Sequence, residues 1–392
     1  MPSRWTILLI LAIRPVAGLL PGAAIGALPG MPPVVDAKDI YSETHAGKLS
    51  PTVRSFPDLV YVPNSDSNTV DVIDPRSFRI VDHFKVRRQP QHVTPSYDLK
   101  TLWVLSDLGD SLTKIDPATG KKGETIRVKD PYNMYYTPDG QYAVVVAERI
   151  HRLDFRNPST MALVDSVPLP CRGIDHMDFS ADGRFLIGSC EFSGALIKLD
   201  VAKRAVVGML DLAAHQDAAH AHGTQRVSMR RAYDLKHAPS GSMPQDVKTS
   251  PDGNIFYVAD MLANGVHLID GLKFVSVGFI PTGSGAHGLY PSRDSKLLYC
   301  SNRDEGTISV ISFAERKVVQ KWTIPGGSPD MGGVSANGKV LWLSGRYTRE
   351  VYAIDTSDGH LIARIAVGKG PHGLCVYPQP GRYSLGHTGI LR

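Results

Sequence analysis

The sequence has no run of Lys or Arg, and its net charge is only +5 over 392 residues. A nucleic-acid partner is therefore not expected, because such a partner demands a concentrated basic face. Four cysteines (Cys171, Cys190, Cys300, Cys375) form no CxxC pair, which excludes a zinc-ribbon or dithiol redox centre, and the absence of CxxCH excludes covalently attached haem. Small half-buried thiols in strands are the simplest reading of all four. A disulfide involving Cys171 stays open for an exported protein, whereas Cys190 and Cys300 occupy matching places in non-adjacent repeats and should not pair. No GxSxG or HExxH is present, so no standard hydrolase motif can be singled out.

Long apolar runs are also missing. The one near the N-terminus, Thr6 to Ile13, is stopped by Arg14-Pro15 and falls well short of the roughly 20 residues that a membrane-spanning helix needs. With Arg4 before it and small residues from Gly22 to Ala27, residues 1–30 read as an export signal. An uncleaved N-terminal anchor and an apolar leader without a role are the alternatives. The expected location is extracytoplasmic, secreted or in the cell envelope, with no transmembrane domain beyond such an anchor. Residues 31–56, polar and Pro-containing, read as a linker.

What the chain has in abundance is glycine and proline, 37 and 28 residues, with 42% apolar content. That composition suits a large all-β protein rich in turns. A motif recurs: PQHVTPS at His92, PYNMYYTPDG at Asn133, GIDHMDFSADG at His176, PQDVKTSPDG at Asp246, GAHGLYPSRD at His287, PDMGGVSANG at Asp330 and PHGLCVYP at His372. The steps between these anchors are 41, 43, 70, 41, 43 and 42 residues. One outlier among six marks an insertion, at 213–243.

Each motif is followed by runs of β-branched and aromatic residues, such as LWVLS (102–106), then VHLID-type runs ending in Asp, then a third run such as VVQKWTI (318–324). Four short strands in about 40 residues, with no helix-period stretch between them, specify a β-propeller blade. Residues 58–85 supply three strands without an opening strand, and Gly373 to Tyr377 supply one without followers. A blade shared between the two termini closes the ring and removes its open edges. The expectation is an all-β, seven-bladed β-propeller of four-stranded blades over 57–378, a monomer, with a C-terminal tail (379–392) packed along the outside. The Asp residues that end strands (Asp74, Asp116, Asp200, Asp270, Asp355) read as turn formers, and Trp103, Trp322 and Trp342 as packing residues.

YVPNSDSNTVDVID (61–74) and YCSNRDEGTISVI (299–311) resemble the YVTN-type, forty-residue-repeat β-propeller family. The resemblance covers about 57 to 378 and implies seven blades. It leaves the function wide, because propellers of this kind serve as binding scaffolds and surface proteins and, in related families, as lactonases or tetrapyrrole-binding domains.

In a propeller the innermost strands start on the face to which the second strands return. The anchors His92, Asn133, His176, Asp246, His287, Asp330 and His372 should therefore ring one mouth of the central channel, with Arg303 and Arg346 among the second-strand turns outside them. The insertion, with His215, His220, His222 and His237, should lie over the same face.

Three readings of this face compete. A transition-metal site would use His92, His372 and Asp330, capped by His220 or His222, since imidazole and carboxylate suit Zn, Cu, Fe or Ni. A pocket for an organic ligand would use the ring for hydrogen bonds and Arg303 or Arg346 for a carboxylate. A structural reading has the ring imidazoles bond backbone groups of the next blade, with Asn and Asp substituting as local caps. The reading adopted is a binding module for a small ligand, a metal or a protein partner. The alternative is an enzyme: a metal-dependent, lactonase-like hydrolase or a redox or tetrapyrrole-handling protein. A ring richer in His than in carboxylates suits a hard ion less well. A non-covalent tetrapyrrole could take His176, His287 or an insertion His as axial ligand, although the nitrite-reductase type of propeller has eight blades.

Overall fold

A computed structural model of the chain describes residue 28 and residues 30–212 and 241–392. Seven antiparallel sheets follow one another around a ring. The closing blade pairs Cys375–Tyr377 with Leu59–Asn64, then Thr69–Asp74 and Arg79–Lys85. Tyr377 sits opposite Leu59, and Cys375 opposite Tyr61, so the two ends of the propeller are joined through one sheet as the sequence predicts. The innermost strands of the other six blades are Pro90–Pro95, Asn133–Tyr136, Ile174–Phe179, Pro244–Thr249, Ala286–Pro291 and Pro329–Val334.

Burial explains why these strands do not alternate in polarity. Pro90–Pro95, Ile174–Phe179 and Pro244–Thr249 are buried at every position, because neighbouring blades cover both faces. The outermost strands, such as Arg79–Lys85 and Lys121–Arg127, are mostly exposed. Trp103, Trp322 and Trp342 are buried in the packing between strands. Each strand-ending Asp accepts a backbone N–H two or three residues on: Asp74 from Arg76, Asp116 from Ala118, Asp200 from Lys203, Asp270 from Leu272 and Asp355 from Ser357, at 2.8–3.0 Å. These carboxylates hold turns, as their positions imply.

Three parts differ from expectation. Cys171 and Cys190 form a disulfide, while Cys300 and Cys375 are free and buried. Cys171 precedes the innermost strand of its blade and Cys190 ends the second strand, so the bond ties the blade's lead-in to its own sheet. The segment 31–56 lies against the propeller: Ile40 N–H donates to Pro251 O at 2.8 Å and the Tyr41 hydroxyl to Thr249 O at 2.6 Å.

The tail does not run along the outside. Ser384–Gly386 pairs with the innermost strand Asn133–Tyr136, and Ile390–Leu391 pairs back onto it, making that sheet six-stranded. Gly386 makes this possible: its φ is +99°, and a Cβ there would lie 2.4 Å from Met134 O. The apolar residues Tyr383, Leu385, Ile390 and Leu391 are buried. Burying them inside the channel gains what a solvent-facing path would lose.

Candidate functional site

The seven anchors do form a ring at the channel, and all are buried, none more than 2% exposed. Some serve the blades directly. His92 Nδ1 donates to Tyr132 O of the next blade at 2.9 Å, and Asp246 Oδ2 accepts Leu289 N–H of the next blade at 2.9 Å. Asn133 Oδ1 accepts the N–H of Met134 at 2.9 Å. These bonds match the structural reading for three anchors.

His387, which the sequence reading missed, enters the ring from the tail. Its ring centroid is 5.3 Å from that of His92, 4.8 Å from that of His176 and 6.0 Å from that of Tyr135. Asn133 Nδ2 donates to His387 Nδ1 at 2.9 Å. The only sequence signal was a His inside the turn-like GHTG (386–389), which carries no repeat periodicity.

The ring thus divides into two clusters. One nitrogen from each of His92, His176 and His387 lies within 4.8 Å of the others, and the same holds for His287, Asp330 and His372 with one ligand atom each. The trio expected from the sequence, His92, His372 and Asp330, is therefore split between the clusters, although the rings of His92 and His372 remain 4.8 Å apart. His372 Nε2 is 3.7 Å from Asp330 Oδ2. Asp330 is already engaged: Arg303 Nε and Nη2 reach its Oδ1 at 2.8 and 2.5 Å, and Arg303 Nη2 also contacts His287 Nε2. A guanidinium occupies the place beside Asp330 that a cation would take. His220 and His222 lie outside the described residues, as do His215 and His237.

Above the ring the mouth opens into a cavity of about 580 Å³. Gln91, Tyr132, Gln245, His287 and His372 contribute from the blade-opening side, and Asp107, Glu148, Glu191, Arg303 and Arg346 from the turns after the second strands. The two sets of residues share one face, as the propeller connectivity requires. Asn64 and Asp260 instead hold their own turns, through Thr69 Oγ1 and the N–H groups of Met243 and Ala263 respectively.

The cavity wall is electrically two-sided. Arg303 and Arg346 mark one side. On the other, Arg149 is shared between Asp107 and Asp130 at 3.1 and 2.7 Å. Burial and the neighbouring Asp130 raise the Asp107 carboxyl to about 7, and burial with the charges of Asp107 and Asp175 pushes Glu148 well above its usual range. Burial, reinforced by His176, lowers His92 to about 3. Burial likewise holds His287, His372 and His387 well below the ordinary imidazole value, with Arg303, Arg346 and Lys248 respectively adding to it. Those imidazoles are neutral at physiological pH, with a lone pair on one nitrogen. Burial pushes Asp175 up, but His176 and Tyr132 outweigh it and keep the carboxylate ionised.

The profile of the YNCE-like beta-propeller family matches residues 13–159 and 216–381. This chain belongs to that family. No curated protein sequence matches it significantly. Among solved structures, the YNCE-like fold is shared with Kuenenia stuttgartiensis hydrazine synthase, at 17% identity and a TM-score of 0.62, covering 87% of this chain and 99% of that one. A functionally unknown protein from Desulfotomaculum acetoxidans gives 15% identity and a TM-score of 0.62, over 81% and 98% of the two chains. The dihydro-heme d1 dehydrogenase NirN, in complex with DHE, gives 16% identity and a TM-score of 0.57, over 89% and 82%. At these identities the likeness concerns the fold alone. Among the described residues of this YNCE-like chain, no helix is long and apolar enough to cross a membrane.

Proposed function

We propose that this protein is an extracytoplasmic binding propeller that takes a small organic acid in the mouth of its central channel. One observation carries the reading: the Arg346 guanidinium lines the cavity, and among the described residues no carboxylate pairs with it. Its one hydrogen bond is a long one, Nη1 to Ser65 Oγ at 3.4 Å. A guanidinium held beside buried imidazoles offers a planar fork to a ligand carboxylate. Gln91, Gln245 and the Tyr132 ring supply neutral polar and flat apolar contacts around it, the mix found in small-molecule pockets. The Cys171–Cys190 bond and the export-like N-terminus support the location, since structural disulfides persist outside reducing compartments.

The test is calorimetric titration of the untagged protein with a panel of mono- and dicarboxylates, aliphatic and aromatic. A member of the panel should bind, and Arg346→Gln should weaken it by about 10–100-fold, the size expected for loss of a charge-assisted bidentate contact, with an unchanged melting temperature. If no carboxylate binds, or Arg346→Gln leaves affinity intact, the reading fails. A second reading is a flat tetrapyrrole acid. It is favoured by His372, whose Nδ1 has no hydrogen-bond partner among the described residues and whose side chain lines the cavity, and by the fold shared with NirN. An absorption spectrum of the purified protein, before and after adding haemin, separates the two.

A further inference from the structure

We propose that His92, His176 and His387 form a buried site for one divalent transition-metal ion of the zinc type, with the C-terminal tail delivering the third ligand. The three ring centroids make a near-regular triangle, with sides of 5.4, 5.3 and 4.8 Å. Nε2 of all three is buried with no hydrogen-bond partner among the described residues. One nitrogen of each ring lies within 4.8 Å of the others, and leaving buried imidazole nitrogens unpartnered is costly. Metal–nitrogen bonds of about 2.0–2.1 Å require only small inward shifts of the rings from their present spacing.

The opposite ring nitrogens supply an independent reason. His92 Nδ1 faces the Tyr132 carbonyl, which can only accept, so the proton sits on Nδ1 and Nε2 keeps its lone pair. His176 Nδ1 lies 2.8 Å from the Asp175 carboxylate without hydrogen-bond geometry, and that negative charge favours a proton on Nδ1 over Nε2. A backbone carbonyl and a carboxylate are the usual outer partners that orient metal-binding histidines. His387 differs: the Asn133 amide donates to its Nδ1, which leaves the proton on Nε2, pointing toward Asp246 Oδ1 at 3.8 Å. On metal binding that proton moves to Nδ1 and the Asn133 amide turns over to accept it, giving up its bond from Met134 N–H, with no net proton released. Charge is balanced locally, since Asp175 and Asp246 are both fully buried beside the triangle, and among the described residues Asp246 faces the cation of Lys248 and the His387 ring. The Arg303–Asp330 pair keeps an ion out of the neighbouring cluster, which makes the His triangle selective within the ring.

The experiment uses the full chain with its tag removed, stripped with a chelator and titrated with Zn²⁺ against a competing chelator of known affinity. One ion per chain is expected. His176→Ala and His387→Gln should each weaken binding at least 100-fold. Asn133→Asp, whose carboxylate accepts Nδ1–H without turning over, should tighten it by about tenfold. The pair His220→Ala with His222→Ala, and Arg346→Gln separately, should leave binding within threefold, which separates this site from the proposed organic-acid pocket. Cu²⁺-loaded wild type provides a reading that needs no variant: its electron paramagnetic resonance spectrum should show at least three coupled nitrogens. Substoichiometric binding, fewer than three nitrogens, weaker binding by Asn133→Asp, or loss of binding with the His220/His222 pair would overturn the proposal.

Discussion

Arg392→Ala tests how the tail is anchored against the innermost strands. The Arg392 guanidinium lies 3.0 and 3.3 Å from the two oxygens of Asp178 and 4.7 Å over the Tyr41 ring, so it joins the tail, the innermost strand of one blade and the N-terminal segment. Asp178 is fully buried, and its other partners are the N–H groups of Phe179 and Thr249, at 2.8 and 2.9 Å. Removing one partner of a buried pair typically costs about 3–5 kcal/mol, because a desolvated charge is left behind. The two remaining amides favour the lower end, and loss of the contact with Tyr41 adds about 1 kcal/mol. A total of about 4 kcal/mol should lower the melting temperature by about 5 °C for a chain of this size. Urea unfolding followed by tryptophan fluorescence would read it directly. Combining Arg392→Ala with Asp178→Asn should recover part of the loss, giving a coupling of about 2 kcal/mol. A destabilisation below about 1 kcal/mol, or strict additivity, would mean that the tail is not anchored through this pair.

Further outcomes follow from other parts of the ring. The Asp107 carboxyl titrates near 7 in the fold, against an ordinary 3.8, so the folded chain binds more protons between these values and gains stability as pH falls from 8 to 5. The contribution is about 2–3 kcal/mol, and Asp107→Asn should flatten that part of the stability–pH curve; an unchanged curve would refute the assignment. Replacing Cys171 and Cys190 by Ala opens a loop closed over a sequence separation of 19 residues. This should cost about 3 kcal/mol, while the same change at Cys300 and Cys375 leaves the pattern of disulfide-linked peptides in mass spectrometry untouched. Gly386→Ala places a Cβ 2.4 Å from Met134 O at a φ of +99°, and should destabilise by about 2–3 kcal/mol and expose tail amides to hydrogen exchange. Normal protection there would contradict the tail's placement.

The fold was legible because a propeller repeats its local chemistry. Strand-ending Asp residues at Asp74, Asp116, Asp200, Asp270 and Asp355 bond the turn beside them, and such contacts span only a few residues. The anchor spacing, unbroken except at the insertion, is enough to place seven side chains around one channel. The shared closing blade was legible for the same reason, since three strands at one end and one at the other complete a single unit.

What the sequence by itself determined, then, was the number of blades, the way the ring closes and the face on which His and Asp collect. Only the tertiary structure decided which of them meet. Arg303 reaches across from the turn after a second strand to Asp330 and so separates His372 and Asp330 from His92 as a metal trio. Cys171 reaches Cys190 from a lead-in loop without periodicity. The tail brings His387 to His92 and His176 because its apolar residues gain more by filling the channel than by lying in solvent. Contacts within one repeat follow from spacing along the chain, whereas contacts across the channel depend on ring diameter and on what fills it, and neither is written in any single repeat.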